Sequence, residues 1–167
     1  MVEAYVLTAI RRKHRISLPM IRNALKFLTE RLDAKRPLLE EQFVTNGVDL
    51  FVDRLGQIIN ISRHGQIEMA DMIRAYLERI ERDSKGLPIK LYPFIRSQPP
   101  RTQPRTIVID PKVSFGRPVI AGTAIPTAVF AEQFKAGDSV ALLAKEYGAS
   151  EEGVLDAIRC ELDLQAA

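Results

Sequence analysis

Six cations fall within sixteen residues near the start of the chain: Arg11, Arg12, Lys13, Arg15, Arg22 and Lys26. Clustered Lys and Arg hold phosphates, so contact with a nucleic-acid backbone is the chemistry this group can do. A second reading stays open, because Arg11-Arg12-Lys13 at the C-terminal end of a helix would complement the helix dipole with no ligand at all. The other reactive residue types are sparse: two histidines, His14 and His64, and one cysteine, Cys160. A metal centre needs several converging His, Cys or carboxylate ligands, and covalent catalysis needs a base beside its nucleophile. Neither histidine lies in an HExxH, CxxC or GxSxG frame, so both read as surface or packing residues. The run GRPVIAGT, Gly116 to Thr123, has two glycines but lacks the lysine of a phosphate-binding loop, and Pro118 removes a backbone donor that a phosphate would use. The reading is therefore of no catalytic residue, no cofactor and no metal, in a protein that is not an enzyme.

The net charge of +3 is unevenly spread. Residues 1–36 carry nine Lys/Arg against three Asp/Glu, whereas residues 138–167 carry two against seven, so a basic and an acidic end lie at opposite termini. No apolar run approaches the roughly 18 to 20 residues that span a bilayer, and the N-terminus is too polar for a secretory signal. The expectation is a cytoplasmic protein without a membrane partner. Cys160, alone and next to Ile158 and Leu162 at helical spacing, reads as a small core residue.

The cations must be carried by helices. Glu3 to His14 reads as a first helix with Ala4, Leu7 and Ile10 inward, and Ser17 as the cap of a second, whose Leu18, Ile21, Leu25, Leu28 and Leu32 recur by threes and fours. The β-rich runs Val48 to Val52 and Ile58 to Ile61, flanking Gly56, read as a hairpin and, beside helices, as a wing. Gln66 to Asp83 reads as an amphipathic helix with Ile67, Ala70, Ile73, Leu77 and Ile80 on its inner stripe. Its outer face would hold Glu68, Asp71, Arg74, Arg79, Glu81 and an i,i+4 pair, Glu78 with Arg82. LPIKLYPFIR, Leu87 to Arg96, reads as a short strand returning to this first domain.

Residues 97–105, SQPPRTQPR, lack apolar periodicity and read as a Pro-rich linker. In Thr106 to Pro126 the apolar runs Ile107-Val108-Ile109 and Val119-Ile120 are cut by Asp110-Pro111 and Gly122, the pattern of short strands and tight turns in a rigid platform. From Thr127 onward the period becomes helical in three blocks, divided by Ala136-Gly137-Asp138 and Gly148-Ala149-Ser150. Asp138 and Ser150 suit helix N-caps, and the glycines suit the left-handed position that ends a helix. The last two helices have the spacing of a helix-turn-helix about Gly148. Its presumed recognition helix, Glu151 to Asp163, carries Glu151, Glu152, Asp156, Glu161 and Asp163 against Arg159 alone, which opposes docking against phosphates. Those helices are expected to serve dimerisation or partner contact, and any phosphate contact falls to the N-terminal cations.

The run IVIDPKVSFGRPVIAGTAIPTAVFAEQFKAGDSVALLAKEYGASEEGVLDAIRCEL resembles the C-terminal domain of unknown function that ends many VapB-type antitoxins. The pairs Asp110-Pro111, Gly122-Thr123, Ile125-Pro126, Ala136-Gly137 and Tyr147-Gly148, together with Phe115-Gly116-Arg117-Pro118, carry the likeness. One position departs, with Ala124 standing where the pattern has Arg. The words ISLPMIRNALKFL, TNGVDLFV, IINIS, GQIEMADMIRAYLERIERD and GLPIKLYPF resemble the middle region of the longer members, akin to the wing and following helices of MerR-type regulators. In those members a first helix-turn-helix precedes this region, so the chain reads as naturally short, assigned a late start, or cut.

Together these readings give a mainly α fold with small β-hairpins in two small domains. Residues 1–96 would form a winged-helix-like part without the upstream helix-turn-helix, and residues 106–167 a β-platform with a trihelical, helix-turn-helix-like unit. The resemblance implies an antitoxin of a type II toxin–antitoxin pair that neutralises a cognate PIN-like ribonuclease toxin and regulates its operon by binding operator DNA. The alternative is a dimeric protein-interaction module with neither role. A homodimer is expected under both, because short strands leave edges that a second copy can complete.

Overall fold

Val2–His14 forms helix α1, followed after a three-residue link by α2, Leu18–Leu32. The chain is described here by a computed structural model covering residues 2–33, 36–40, 43, 47–59, 62–96 and 103–165. It divides into two compact units, Met1–Pro88 and Ile89–Ala167. In α1 the buried residues are Val6, Ala9 and Ile10, whereas Ala4 is exposed, so the inner face is rotated from the one expected. Of the α2 stripe, Ile21 and Leu28 are buried with Ala24, while Leu18 is exposed. Ser17 precedes α2 in extended geometry, but its side chain makes no capping hydrogen bond.

The segment expected to be a wing is a helix, α3, Val48–Ile59. Its β-branched residues suggested strands, yet Val48, Phe51, Val52, Leu55 and Gly56 are the buried ones, a spacing of three and four that only a helix places on one side. Gly56 makes no turn. A Cβ there would stand 2.3 Å from Nε2 of Gln66, so the glycine leaves room for that side chain of α4, Arg63–Leu77. Asn60 and Ile61 lie outside the described residues. Phe51 packs edge-to-face on Phe43, with ring centroids 6.0 Å apart, in a core shared with Ile10, Ile21, Leu38 and Ile73.

The amphipathic helix ends earlier than its apolar stripe, at Leu77, and Ile80–Arg82 is strand β1. Ile80 continued the helical spacing by coincidence. Asp83 instead builds a turn, its Oδ1 accepting from the backbone N–H of Lys85 and of Leu87, each at 2.9 Å. The Glu78–Arg82 helical pair therefore does not form on a helix, and Arg82 donates to the carbonyls of Leu39 and Gly86. Arg79, expected on the outer face, is buried.

In the second unit, β2 (Pro88–Leu91), β3 (Ile107–Ile109) and β4 (Pro118–Ile120) form an antiparallel sheet. Leu91 pairs with Ile109, and Ile107, Val108 and Ile109 pair with Ile120, Val119 and Pro118. The strand at Pro88–Leu91 follows β1 in the sheet order β1-β2-β3-β4, as expected of a strand returning to the preceding segment, and also bonds to the platform strand β3. Three helices follow: α5 Thr127–Ala136, α6 Val140–Tyr147 and α7 Glu151–Gln165. They pack with the strands around Ile107, Ile120, Phe130, Leu143, Val154, Ala157 and Cys160, so the cysteine is a core residue. Gly148, at φ 64°, takes the left-handed conformation that lets α6 end, and its N–H satisfies the carbonyl of Ala144. Ser139, not Asp138, caps α6, and Ser150 caps α7 by accepting from Gly153 N–H at 3.0 Å.

Candidate functional site

The six cations sit around the link between α1 and α2. Arg11 and Arg12 are exposed on the last turn of α1, Lys13 follows them, and Arg15 lies in the link with φ 52° and is also exposed. Arg22 and Lys26 are one turn apart and exposed on α2. None of Arg11, Arg12, Arg15, Arg22 and Lys26 makes an ion pair among the described residues. Arg12 is close enough to Tyr76 to act on it: burial raises the phenol pKa and the Arg12 charge opposes that rise. An unpaired cation keeps its full charge for an external anion, which a cation already held in a salt bridge does not. In the same unit an open groove between α3 and α4 holds Asp49, Asp53, Arg63 and Arg74, but Arg74 is already paired, at 2.6 Å to Asp49 and 3.7 Å to Asp71.

The second unit redistributes the acidic charge read on α7. Asp156 is 1% exposed. Its carboxylate accepts from Arg96 Nε and Nη2 at 2.8 and 2.7 Å, from Thr106 Oγ1 at 2.6 Å and from Arg159 Nη1 at 3.0 Å. Burial pushes the carboxyl pKa up, but these donors, Arg96 first, outweigh it and hold the group below its ordinary value. Arg96 also reaches Glu152 at 2.7 Å, and its bonds to Asp156 and then Glu152 raise its own pKa. Gln103 ties the same segment, accepting from the N–H groups of Ile95 and Arg96 and donating to the Arg96 carbonyl. Glu161 is likewise turned inward, accepting from the buried Thr127 hydroxyl. What α7 presents to solvent is therefore Glu151 and Glu152 with Leu155, Arg159 and Leu162.

The loop between β3 and β4 presents Phe115 at 99% exposure. Ser114, Phe115 and Gly116 have φ of 45°, 57° and 74°, a left-handed run that L-residues other than Asn and Asp rarely enter, at about 1 kcal/mol or more for each non-glycine residue. Ser114 Oγ donates to the Ala124 carbonyl at 2.6 Å and Asp110 Oδ1 accepts from Lys112 N–H at 2.8 Å, which brace the run. Lys112 and Arg117 flank Phe115 along the chain and are exposed, as is Ala124. Sequence reasoning passed over Asp156, Arg96, Thr106 and Phe115 as site residues. Asp156 lies beside the core positions Val154, Ala157 and Ile158, a signal that it faces inward, but its partners fifty to sixty residues away have no local signature.

Among the described residues no group of His, Cys, Asp and Glu is placed to hold a metal ion, and no helix is long and apolar enough to cross a membrane. Residues 107–159 match the family described as protein of unknown function, DUF433, a span from β3 into α7. Over 170 aligned residues the chain is 25% identical to a protein of Mycobacterium tuberculosis named "Putative antitoxin VapB45", covering 93% of this chain and 67% of that one. These two likenesses support a VapB-type antitoxin family for the chain. Its fold also matches the crystal structure of Rv2018 from Mycobacterium tuberculosis with a TM-score of 0.68 at 21% identity, covering 94% of this chain and 75% of that chain. The likeness to the mycobacterial protein supports an antitoxin role and, in general terms, a toxin partner. The DUF433 match ends before the last residues of α7 and takes in Asp156, Thr127 and the Phe115 loop, while the N-terminal cations lie outside it.

Proposed function

We propose that the chain is the antitoxin of a type II toxin–antitoxin pair, which binds and neutralises a PIN-like ribonuclease toxin and represses its own operon. Binding to operator DNA is assigned to Arg11, Arg12, Lys13, Arg15, Arg22 and Lys26. The observation that carries the antitoxin reading is the likeness to the mycobacterial protein, which extends over 93% of the chain and so over both compact units, not the DUF433 segment alone. The DNA assignment is supported by the exposure of Arg11, Arg12, Arg15, Arg22 and Lys26 and by their freedom from ion pairs among the described residues. It is supported too by what α7 exposes, where Glu151 and Glu152 at the N-terminal end would meet phosphates with like charge.

The toxin claim is tested by placing the neighbouring open reading frame under an inducible promoter, with and without this chain. Growth is expected to stop when the neighbour is expressed alone and to resume when the chain is supplied, with the two proteins co-purifying. A neighbour that is harmless alone, or that stays toxic in the presence of this chain, removes the reading.

A further inference from the structure

We propose that the Phe115 loop and the exposed stripe of α7 are the two halves of one self-complementary surface, through which two copies of this chain associate about a two-fold axis. Phe115 of one protomer seats beside Leu155 and Leu162 of its partner, and Lys112 and Arg117 meet Glu151, since Glu152 is already held by Arg96. The contact is made twice.

The argument starts from what the loop gives up. A phenylalanine at 99% exposure leaves its whole ring in water, and the left-handed run that holds it there is one that phenylalanine disfavours. Among the described residues nothing within the protomer compensates: the bracing bonds come from Ser114 and Asp110, and the ring is not among the core residues. A strained, fully presented aromatic flanked by two cations is the chemistry of an interface anchor. The complementary half lies in the same unit. Leu155 and Leu162, 39% and 53% exposed, stand two helical turns apart on α7, below Glu151 and Glu152 at its start. Arg159 between them is turned to Asp156 at 3.0 Å, which draws its charge away from the stripe.

A two-fold dimer requires both halves on every chain and opposite charge between them, and this unit supplies both. Stacking of a nucleic-acid base on Phe115 would use the ring and the cations but leave the leucine stripe uncovered. A heterologous protein would need to bring a socket that this chain already carries. The inference does not depend on the toxin reading.

Sedimentation equilibrium and native mass spectrometry of the full chain test it, with Phe115→Asn as the main variant, because asparagine tolerates the left-handed turn and keeps the loop intact. The wild-type chain is expected to be a dimer. Phe115→Asn should weaken dimerisation about a thousandfold, since each dimer loses two anchors, with a far-UV circular dichroism spectrum unchanged from that of the wild type. Leu155→Glu should do the same. Mixing the two variants is expected to regenerate a heterodimer, because one of the two contacts then joins an intact loop to an intact stripe. A monomeric wild type, an undisturbed Phe115→Asn dimer, or a mixture that yields no heterodimer would overturn the proposal. A Phe115→Asn dimer that has lost nucleic-acid or toxin binding would do so as well, by assigning the loop to that partner.

Discussion

Asp156→Ala is expected to destabilise the second unit by about 3 kcal/mol, the low end of the range for removing one partner of a buried ion pair. The carboxylate is 1% exposed and accepts four bonds, so its loss leaves Arg96 without its principal counter-charge and the Thr106 hydroxyl without its acceptor. The low end applies because the Arg96 side chain keeps 18% of its surface in water and can recover some hydration. Hydrogen exchange resolved by segment is the measurement, since the chain has two compact units and α3 serves as the internal reference. Protection of α7 and β3 should fall while that of α3 holds. Glu152→Ala removes a partner that is 57% exposed and should shift α7 by less than about 1 kcal/mol. Equal effects of the two substitutions would show that Asp156 is a surface group.

The same carboxylate sets a pH dependence. Its folded pKa lies below the ordinary 3.8, so the stabilisation is complete above that value and is lost as the pH falls from it toward the depressed folded value. Protection of α7 should therefore drop in that acid window in the wild type, and Asp156→Asn should abolish that part of the dependence.

Reversing the charge of Arg11 and Arg12 together is expected to weaken binding to DNA from the chain's own promoter at least about a hundredfold at low salt, and to reduce the slope of log K against log salt by about 2. Both side chains are exposed on the last turn of α1, away from Val6, Ala9 and Ile10, so the fold tolerates the change. Phosphate contacts position a protein without reading sequence, so the loss should be the same for promoter and unrelated DNA. Fluorescence anisotropy across a salt series is the measurement. An unchanged affinity or an unchanged slope would exclude this edge as the DNA-binding surface.

The platform and the three helices after it were legible because their boundaries are local chemistry. Prolines fix φ, a glycine at φ 64° lets α6 stop, and serines hold free N–H groups at the starts of α6 and α7. The first unit was less legible. Val48–Ile59 is rich in β-branched residues around a glycine, and composition pointed to strands while spacing pointed to a helix. Packing decides such a conflict, and here Phe51, Val52 and Leu55 could reach a common core only from a helix.

The amino-acid order alone determined a mainly helical protein, the turns and strands of the β-platform, the two-ended charge and the cations of the first two helices, because each rests on neighbours within a few residues. Only the tertiary structure decided that Asp156 and Glu161 face inward to Arg96 and Thr127, that Phe115 stands alone in solvent, and hence which charges α7 shows. A side chain's exposure depends on groups far along the chain, and the same aspartate is a surface charge or a buried keystone according to whether an arginine sixty residues away arrives beside it.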